Sequence, residues 1–173
     1  MANDFKMIIY ASLFAALTAA GAYITLPIGP IPIVLQNLFV LIAGLALGGR
    51  WGAASIGIYL IAGAVGLPVF AGVTAGIGKF AGPTGGYLIG FLFAAYITGV
   101  ISSVKKNTFF DILAMIIGSA VIYTFGVIWL KIIMKISLEK ALILGCYPFI
   151  IGDIVKIAAA AYIIKKIRKI IKL

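Results

Sequence analysis

Residues 146–164 read CYPFIIGDIVKIAAAAYII, a run in which Asp153 and Lys156 are the only charges. The run is about as long as one membrane-spanning helix. The two charges stand at i, i+3, so a helix places them on one face about a turn apart. Each charge at mid-membrane depth costs about 2.5–3.5 kcal/mol on insertion scales. Two arrangements can offset that cost. One is a structural ion pair that ties two helices together, and the other is a polar site for a solute inside a membrane bundle.

The rest of the chain decides the class. Hydrophobic residues make up 64% of the 173 positions and charged residues 10%, against about 25% charged in soluble domains. The mean hydropathy is +1.25. One small core cannot hide so much apolar surface, so lipid must cover it. The expectation is an all-α integral membrane protein, a single domain over residues 1–173, with room for six spans at about 20 residues each. There is one cysteine, Cys146, and no histidine. An internal disulfide and a Cys/His metal site are therefore excluded. The acids Asp4, Asp111, Glu139 and Asp153 are too scattered for a carboxylate metal cage, and nothing indicates a cofactor. The net charge is +10. Its basic residues sit at the ends of apolar runs, which fits the lipid bilayer rather than nucleic acid.

Six apolar segments are expected, near residues 7–25, 34–47, 53–65, 87–103, 109–130 and 146–164. Lys6 and Ala20-Gly21-Ala22 imitate a signal peptide, but the apolar run continues to Leu26 and reads as the first span. That span carries Ala11, Ala15 and Ala19 at i, i+4 spacing, with Ala16 and Ala20 on the adjacent row. Such a stripe serves close helix packing if it faces inward and docking of a second protein if it faces outward. Between spans one and two, Pro27, Pro30 and Pro32 prevent a regular helix. Non-helical backbone at membrane depth must pack on protein or line a cavity. The second and third segments are short for a full crossing. They flank Gly48-Gly49-Arg50-Trp51-Gly52, a tight turn, and are expected to lie partly inside the bundle.

Residues 66–86 hold seven glycines and two prolines. A loop that long and that apolar is expected to be functional. Gly78-Lys79 is followed by Phe80 and follows no strand, so a nucleotide-binding phosphate loop is ruled out. Lys79 either reaches an anionic group on a ligand or is a solvated loop lysine.

With six spans both termini share one side. That side holds Lys6, Arg50, Lys105, Lys106 and the five basic residues of the tail, against Lys79, Lys131, Lys135 and Lys140 opposite. The excess predicts cytoplasmic termini and places the Pro/Gly-rich loops outside. Asp153 then lies about two turns into the last span from the outer face. The polar groups that converge there are the Asp153 carboxylate, the Lys156 and Lys79 ammonium groups, the amides of Gln36 and Asn37, and the hydroxyls of Thr84, Tyr87 and Tyr123. A lysine suits an anionic solute and a carboxylate suits N–H donors, so a small acid with N–H groups would satisfy both.

Three blocks carry a resemblance. They are Ile31-Pro32-Ile33-Val34-Leu35-Gln36-Asn37-Leu38, Gly66-Leu67-Pro68-Val69-Phe70-Ala71-Gly72 with Gly82-Pro83-Thr84-Gly85-Gly86-Tyr87, and Pro148-Phe149-Ile150-Ile151-Gly152-Asp153-x-x-Lys156. Over essentially its whole length the chain resembles the BioY family, the biotin-binding S components of energy-coupling-factor vitamin transporters. The resemblance implies biotin as solute. It also implies assembly with a transmembrane coupling (T) protein and two cytoplasmic ATPases, docked on the first helix at Ala11, Ala15 and Ala19. It places Asp153 and Lys156 at the biotin site, facing a shared ligand rather than chiefly each other. Gln36, Lys79, Thr84 and Tyr87 lie in matching blocks. A solitary secondary transporter or channel for a small organic anion is the competing function. A membrane enzyme is the weakest reading, because no serine or cysteine has an evident base nearby.

Overall fold

A computed structural model describes residues 2–26 and 30–171. Pro27, Ile28 and Gly29, part of the proline-rich segment singled out above, lie outside the described residues. The chain forms helices α1 (Ala2–Tyr23), α2 (Gln36–Ala64), α3 (Gly78–Ala81), α4 (Gly85–Val104), α5 (Thr108–Met134), α6 (Leu138–Gly145) and α7 (Tyr147–Ile171). Two short strands, β1 (Thr25–Leu26) and β2 (Ile33–Val34), pair antiparallel with Thr25 opposite Val34. Among the described residues five helices are long and apolar enough to cross a membrane: α1, α2, α4, α5 and α7.

The two short segments expected on either side of Gly48 are a single element, α2, folded at that residue. Gly48 has φ 78° and ψ 174°, outside helical space, in a region that favours glycine. The arms, residues 36–47 and 49–64, then double back on each other. A Cβ added to Gly52 would stand 2.8 Å from the Cα of Gly44, so the arms meet backbone to backbone. The amide of Gln36 in the first arm reaches the hydroxyl of Tyr59 in the second. In a straight helix those residues would be about 35 Å apart.

α2 is the most buried of the long helices and α7 the least. α4 packs between α2 and α5 through small residues: Gly44 meets Thr98 and Gly99 across the α2–α4 contact, and Gly90 meets Ile122 across α4–α5. Local signals fix the ends. The Asn107 side chain accepts from Phe110 N at 2.8 Å and caps α5, and the Ser137 hydroxyl accepts from Lys140 N and caps α6. α5 stops at Lys135, which is left-handed at φ 52°. α6 carries Glu139 and Lys140 and connects α5 to the last long helix.

The Tyr23 hydroxyl donates to Pro68 O at 2.6 Å, so the C-terminal end of α1 lies with the glycine-rich loop. At the other end of the bundle Arg168 reaches across from α7 to α4 and α5. Its Nη1 and Nη2 donate to Asp111 Oδ2 at 2.7 Å and Oδ1 at 2.8 Å, and Nη2 donates to Ser102 Oγ at 2.6 Å. The Ser102 hydroxyl donates in turn to Asp111 Oδ1 at 2.7 Å. Asp111 and Ser102 are buried. The start of α1 and the end of α7 therefore share the end of the bundle opposite the loop.

The alanine row on α1 is turned the other way from the docking expectation. Ala11 and Ala15 are buried in the core and Ala19 is half-buried, while Ser12, Ala16 and Ala20 are exposed. The physical reason is packing. Phe14 and Thr18 share the inward face with Ala11 and Ala15, and the small residues let α1 lie close to α2.

The loop between α2 and α4 is pinned by Phe70, whose ring occupies the space a Cβ on Gly63 would need. Gly63→Ala is expected to lower the unfolding free energy by about 1–3 kcal/mol through overpacking. Gly57→Ala in the same arm, where a Cβ meets nothing within 4 Å, should be neutral or slightly stabilising. Thermal denaturation of the two variants checks the contrast.

Candidate functional site

A cavity of about 500 Å³ opens at the loop end of the bundle. That is the scale of a pocket for a small organic ligand. Its walls are largely apolar, with Ile31, Phe70, Leu88, Phe91, Ile122 and Phe149 among them. The loop after α2 roofs it: Phe70 and Thr74 pair through backbone bonds of 2.9 and 3.2 Å around Gly72 and Val73. Lys79 sits on the single turn α3 and lines the cavity at the loop side. Thr84, at the start of α4, also lines it. Trp129 holds this rim by donating from Nε1 to Gly82 O at 3.0 Å.

The polar corner is built from α2, α5 and α7. Lys156 Nζ donates to Asn37 Oδ1 at 2.9 Å and to Asp153 Oδ1 at 3.0 Å. Asn37 Nδ2 donates to Asp153 Oδ1 at 2.8 Å, and the Tyr123 hydroxyl donates to Asp153 Oδ2. Lys156, Asn37 and Tyr123 line the cavity, and Asp153 is not among the lining residues. This revises the expectation that both charges face a shared ligand. They pair with each other, and only the lysine reaches the cavity wall. Asp153 is turned away because Asn37 and Tyr123 approach it from neighbouring helices and take its oxygens.

The hydrogens can be counted. An ammonium has three and a primary amide nitrogen two. Lys156 spends two within the cluster and Asn37 one, so each has one N–H left over. Tyr123 has given its hydrogen to Asp153, so towards the cavity its oxygen can only accept. The corner thus offers two donors and an acceptor, with no net charge. Among the described residues no acidic side chain lines the cavity, and Lys79 adds positive charge there.

Two of the other expected residues have commitments of their own. The Gln36 side chain lines the cavity, is 2% exposed, and gives an Nε2 hydrogen to Tyr59. The Tyr87 ring lines the cavity and fills the space beside Gly126, but its hydroxyl donates to Gly145 O at 2.7 Å. Tyr87 therefore joins α4 to the end of α6 and contributes ring surface. Burial, and after it the Asp153 charge, push the Cys146 thiol above its ordinary range, which keeps it protonated at neutral pH and unsuited to attack. Tyr59 and the Arg168–Asp111–Ser102 cluster escaped the sequence reading. Asp111 and Arg168 are 57 residues apart, and no local pattern announces their meeting.

A sequence profile described as the BioY family matches residues 1–173. A protein of Pyrococcus horikoshii called a probable biotin transporter BioY is 44% identical over 163 residues, 94% of this chain and 96% of that one. The biotin transporter BioY of Thermotoga maritima is 35% identical over 165 residues, 95% of this chain and 97% of its own. A crystal structure of the S-component for biotin from an ECF-type ABC transporter superposes with a TM-score of 0.90 at 31% identity, covering 96% of this chain and 93% of the other. The apolar cavity with its neutral polar corner thus belongs to a transporter fold, and this multi-pass membrane chain is a member of the BioY family.

Proposed function

We propose that this chain is the substrate-binding membrane subunit for biotin uptake. The observation that carries the reading is the neutral Lys156–Asn37–Tyr123 corner, backed by Asp153, at one side of an apolar cavity that also holds Lys79. Biotin has a neutral urea at one end, an apolar bicycle, and an acid on an aliphatic tail. The urea oxygen takes the spare N–H groups of Lys156 and Asn37, and a ureido N–H donates to the Tyr123 oxygen. The bicycle and tail lie against the apolar walls. The acid turns to Lys79, whose charge no lining carboxylate among the described residues neutralises. Asp153 serves by holding Lys156, Asn37 and Tyr123 in place rather than by touching the ligand. Thr84 and the ring of Tyr87 complete the wall.

The folded α2 crosses twice as a hairpin, which makes six crossings with the other four long helices. Both termini lie in the cytoplasm, supported by the excess of basic residues at that end of the bundle. The cavity then opens outward, where the solute arrives. A transmembrane coupling protein and two cytoplasmic ATPases supply the energy. A partner that docks on α1 would meet Ser12, Ala16 and Ala20, because Ala11 and Ala15 are covered.

Calorimetry on the purified, detergent-solubilised protein tests the reading. One biotin bound per chain, with saturation, is expected. Absence of heat and saturation with active protein sinks it. Biotin-independent flux of small organic anions into liposomes, with no partner present, would favour the solitary transporter instead.

A further inference from the structure

A second, smaller cavity of about 150 Å³ lies at the end of the bundle opposite the loop. The fold of α2 at Leu47 and Gly48 lines one side, Ser102 at the end of α4 lines another, and Lys106 and Arg168 bring charge to it. Pockets for drug-sized molecules run about 300–1,000 Å³, so this one suits a single compact group. Among the described residues no carboxylate lines it. Asp111 is buried behind Arg168 and Ser102. A guanidinium has five N–H groups, and Arg168 spends three of them on Asp111 and Ser102. The Nε hydrogen and one on Nη1 are left over from those bonds. Asp111 balances the Arg168 charge and also holds the guanidinium still, so an incoming anion meets a donor that is already oriented. Lys106 adds an ammonium to the same lining.

We propose that this cavity is a phosphate-group site, in which Lys106 and the spare N–H groups of Arg168 hold the phosphate of an anionic phospholipid or a free phosphate ion. The surroundings favour the lipid. The cavity lies where the long helices α4 and α7 end, at the level where a membrane helix leaves hydrocarbon for headgroups, and basic pockets between helices at that level take anionic headgroups. Val100 and Val104 stand beside the lining residues Gly99 and Ser103 on α4 and are exposed, which gives acyl chains an apolar surface to follow. A phosphate in the cavity ties the end of α7, the least buried long helix, to the turn between α4 and α5. The site does not depend on what the loop-end cavity binds.

The test uses the purified protein in a neutral detergent, washed until phosphorus analysis finds no native lipid. It is titrated with short-chain phosphatidylglycerol, with phosphatidylcholine of the same chain length, and with inorganic phosphate, and thermal unfolding is followed. A ligand that binds the folded state raises the unfolding midpoint with concentration, which yields an apparent affinity. Phosphatidylglycerol is expected to protect the wild type at least about tenfold more effectively than phosphatidylcholine, whose choline cation the two basic side chains repel. Lys106→Gln should weaken that protection about tenfold, the loss of one charged donor. Lys105→Gln removes the same charge from an exposed neighbour outside the cavity and should change it less than about twofold. Protection by inorganic phosphate that Lys106→Gln abolishes assigns the site to a free ion, and protection by phosphatidylglycerol alone assigns it to the lipid. Equal protection by the two lipids, equal losses in the two lysine variants, or no protection of the wild type by phosphatidylglycerol or phosphate overturns the proposal.

Discussion

Lys156→Met is expected to weaken biotin binding by about 100-fold, the largest effect foreseen at the cavity. Two losses combine. The ligand loses a charged donor, worth about 1.5–3 kcal/mol, and Asp153 is left buried with its counter-charge gone. Breaking a buried pair by removing one partner costs about 3–5 kcal/mol, part of which falls on stability rather than binding. The two are separated by adding Asp153→Asn. The double variant has no charge left in this corner, keeps a donor and an acceptor at position 153, and should regain most of the thermal stability lost by Lys156→Met. Its affinity should stay low, because the donor to the urea is still missing. Titration calorimetry and thermal unfolding of the two proteins decide it. A Lys156→Met protein that binds as tightly as the wild type places the ligand elsewhere.

The second large effect lies at the opposite end of the bundle. Asp111→Ala should lower the unfolding free energy by about 3 kcal/mol, the low end of the range for a broken buried pair. The low end applies because the Arg168 side chain is 21% exposed and can turn towards water, while Asp111 is 4% exposed. Three hydrogen bonds to the Asp111 carboxylate, two from Arg168 and one from Ser102, go with it. α7 is the least buried long helix, and among the described residues this cluster anchors its far end as the Asp153–Lys156 corner anchors its near one. Arg168 lies twelve residues beyond Lys156, about 18 Å along the helix. Biotin affinity should therefore change less than about twofold at temperatures where the variant is folded. Denaturation curves and calorimetry on the same preparation test both halves. Unchanged stability would mean that the bidentate contact contributes nothing in the membrane.

The sequence was legible where one residue or one period decides the outcome. Hydropathy located the long helices, and the glycines and prolines of residues 66–86 marked the segment that roofs the cavity. The spacing of Asp153 and Lys156 placed them on one face. It could not say which of them meets the cavity, because that depends on Asn37 and Tyr123 arriving from α2 and α5. The same limit explains α1. Two rows of small residues one position apart look alike in sequence, and the row that packs is chosen by its neighbours Phe14 and Thr18. The glycines at 48 and 49 announced a turn. That its arms touch at Gly44 and Gly52 is a tertiary fact. Tyr59 was hidden for the same reason, since its partner Gln36 lies in the other arm.

The fold at Gly48 also bears on how the protein is made. The arms on either side of it have 12 and 16 residues, about 18 and 24 Å of helix, and each is shorter than the hydrocarbon thickness of about 30 Å. Neither is a good insertion unit alone. A nascent chain that has released only the first arm into the bilayer would present buried Gln36 to lipid with its partner Tyr59 still unsynthesised. The two arms are therefore best delivered to the membrane together, as a preformed hairpin. The biogenesis machinery would have to hold back the first arm until the second has emerged from the ribosome.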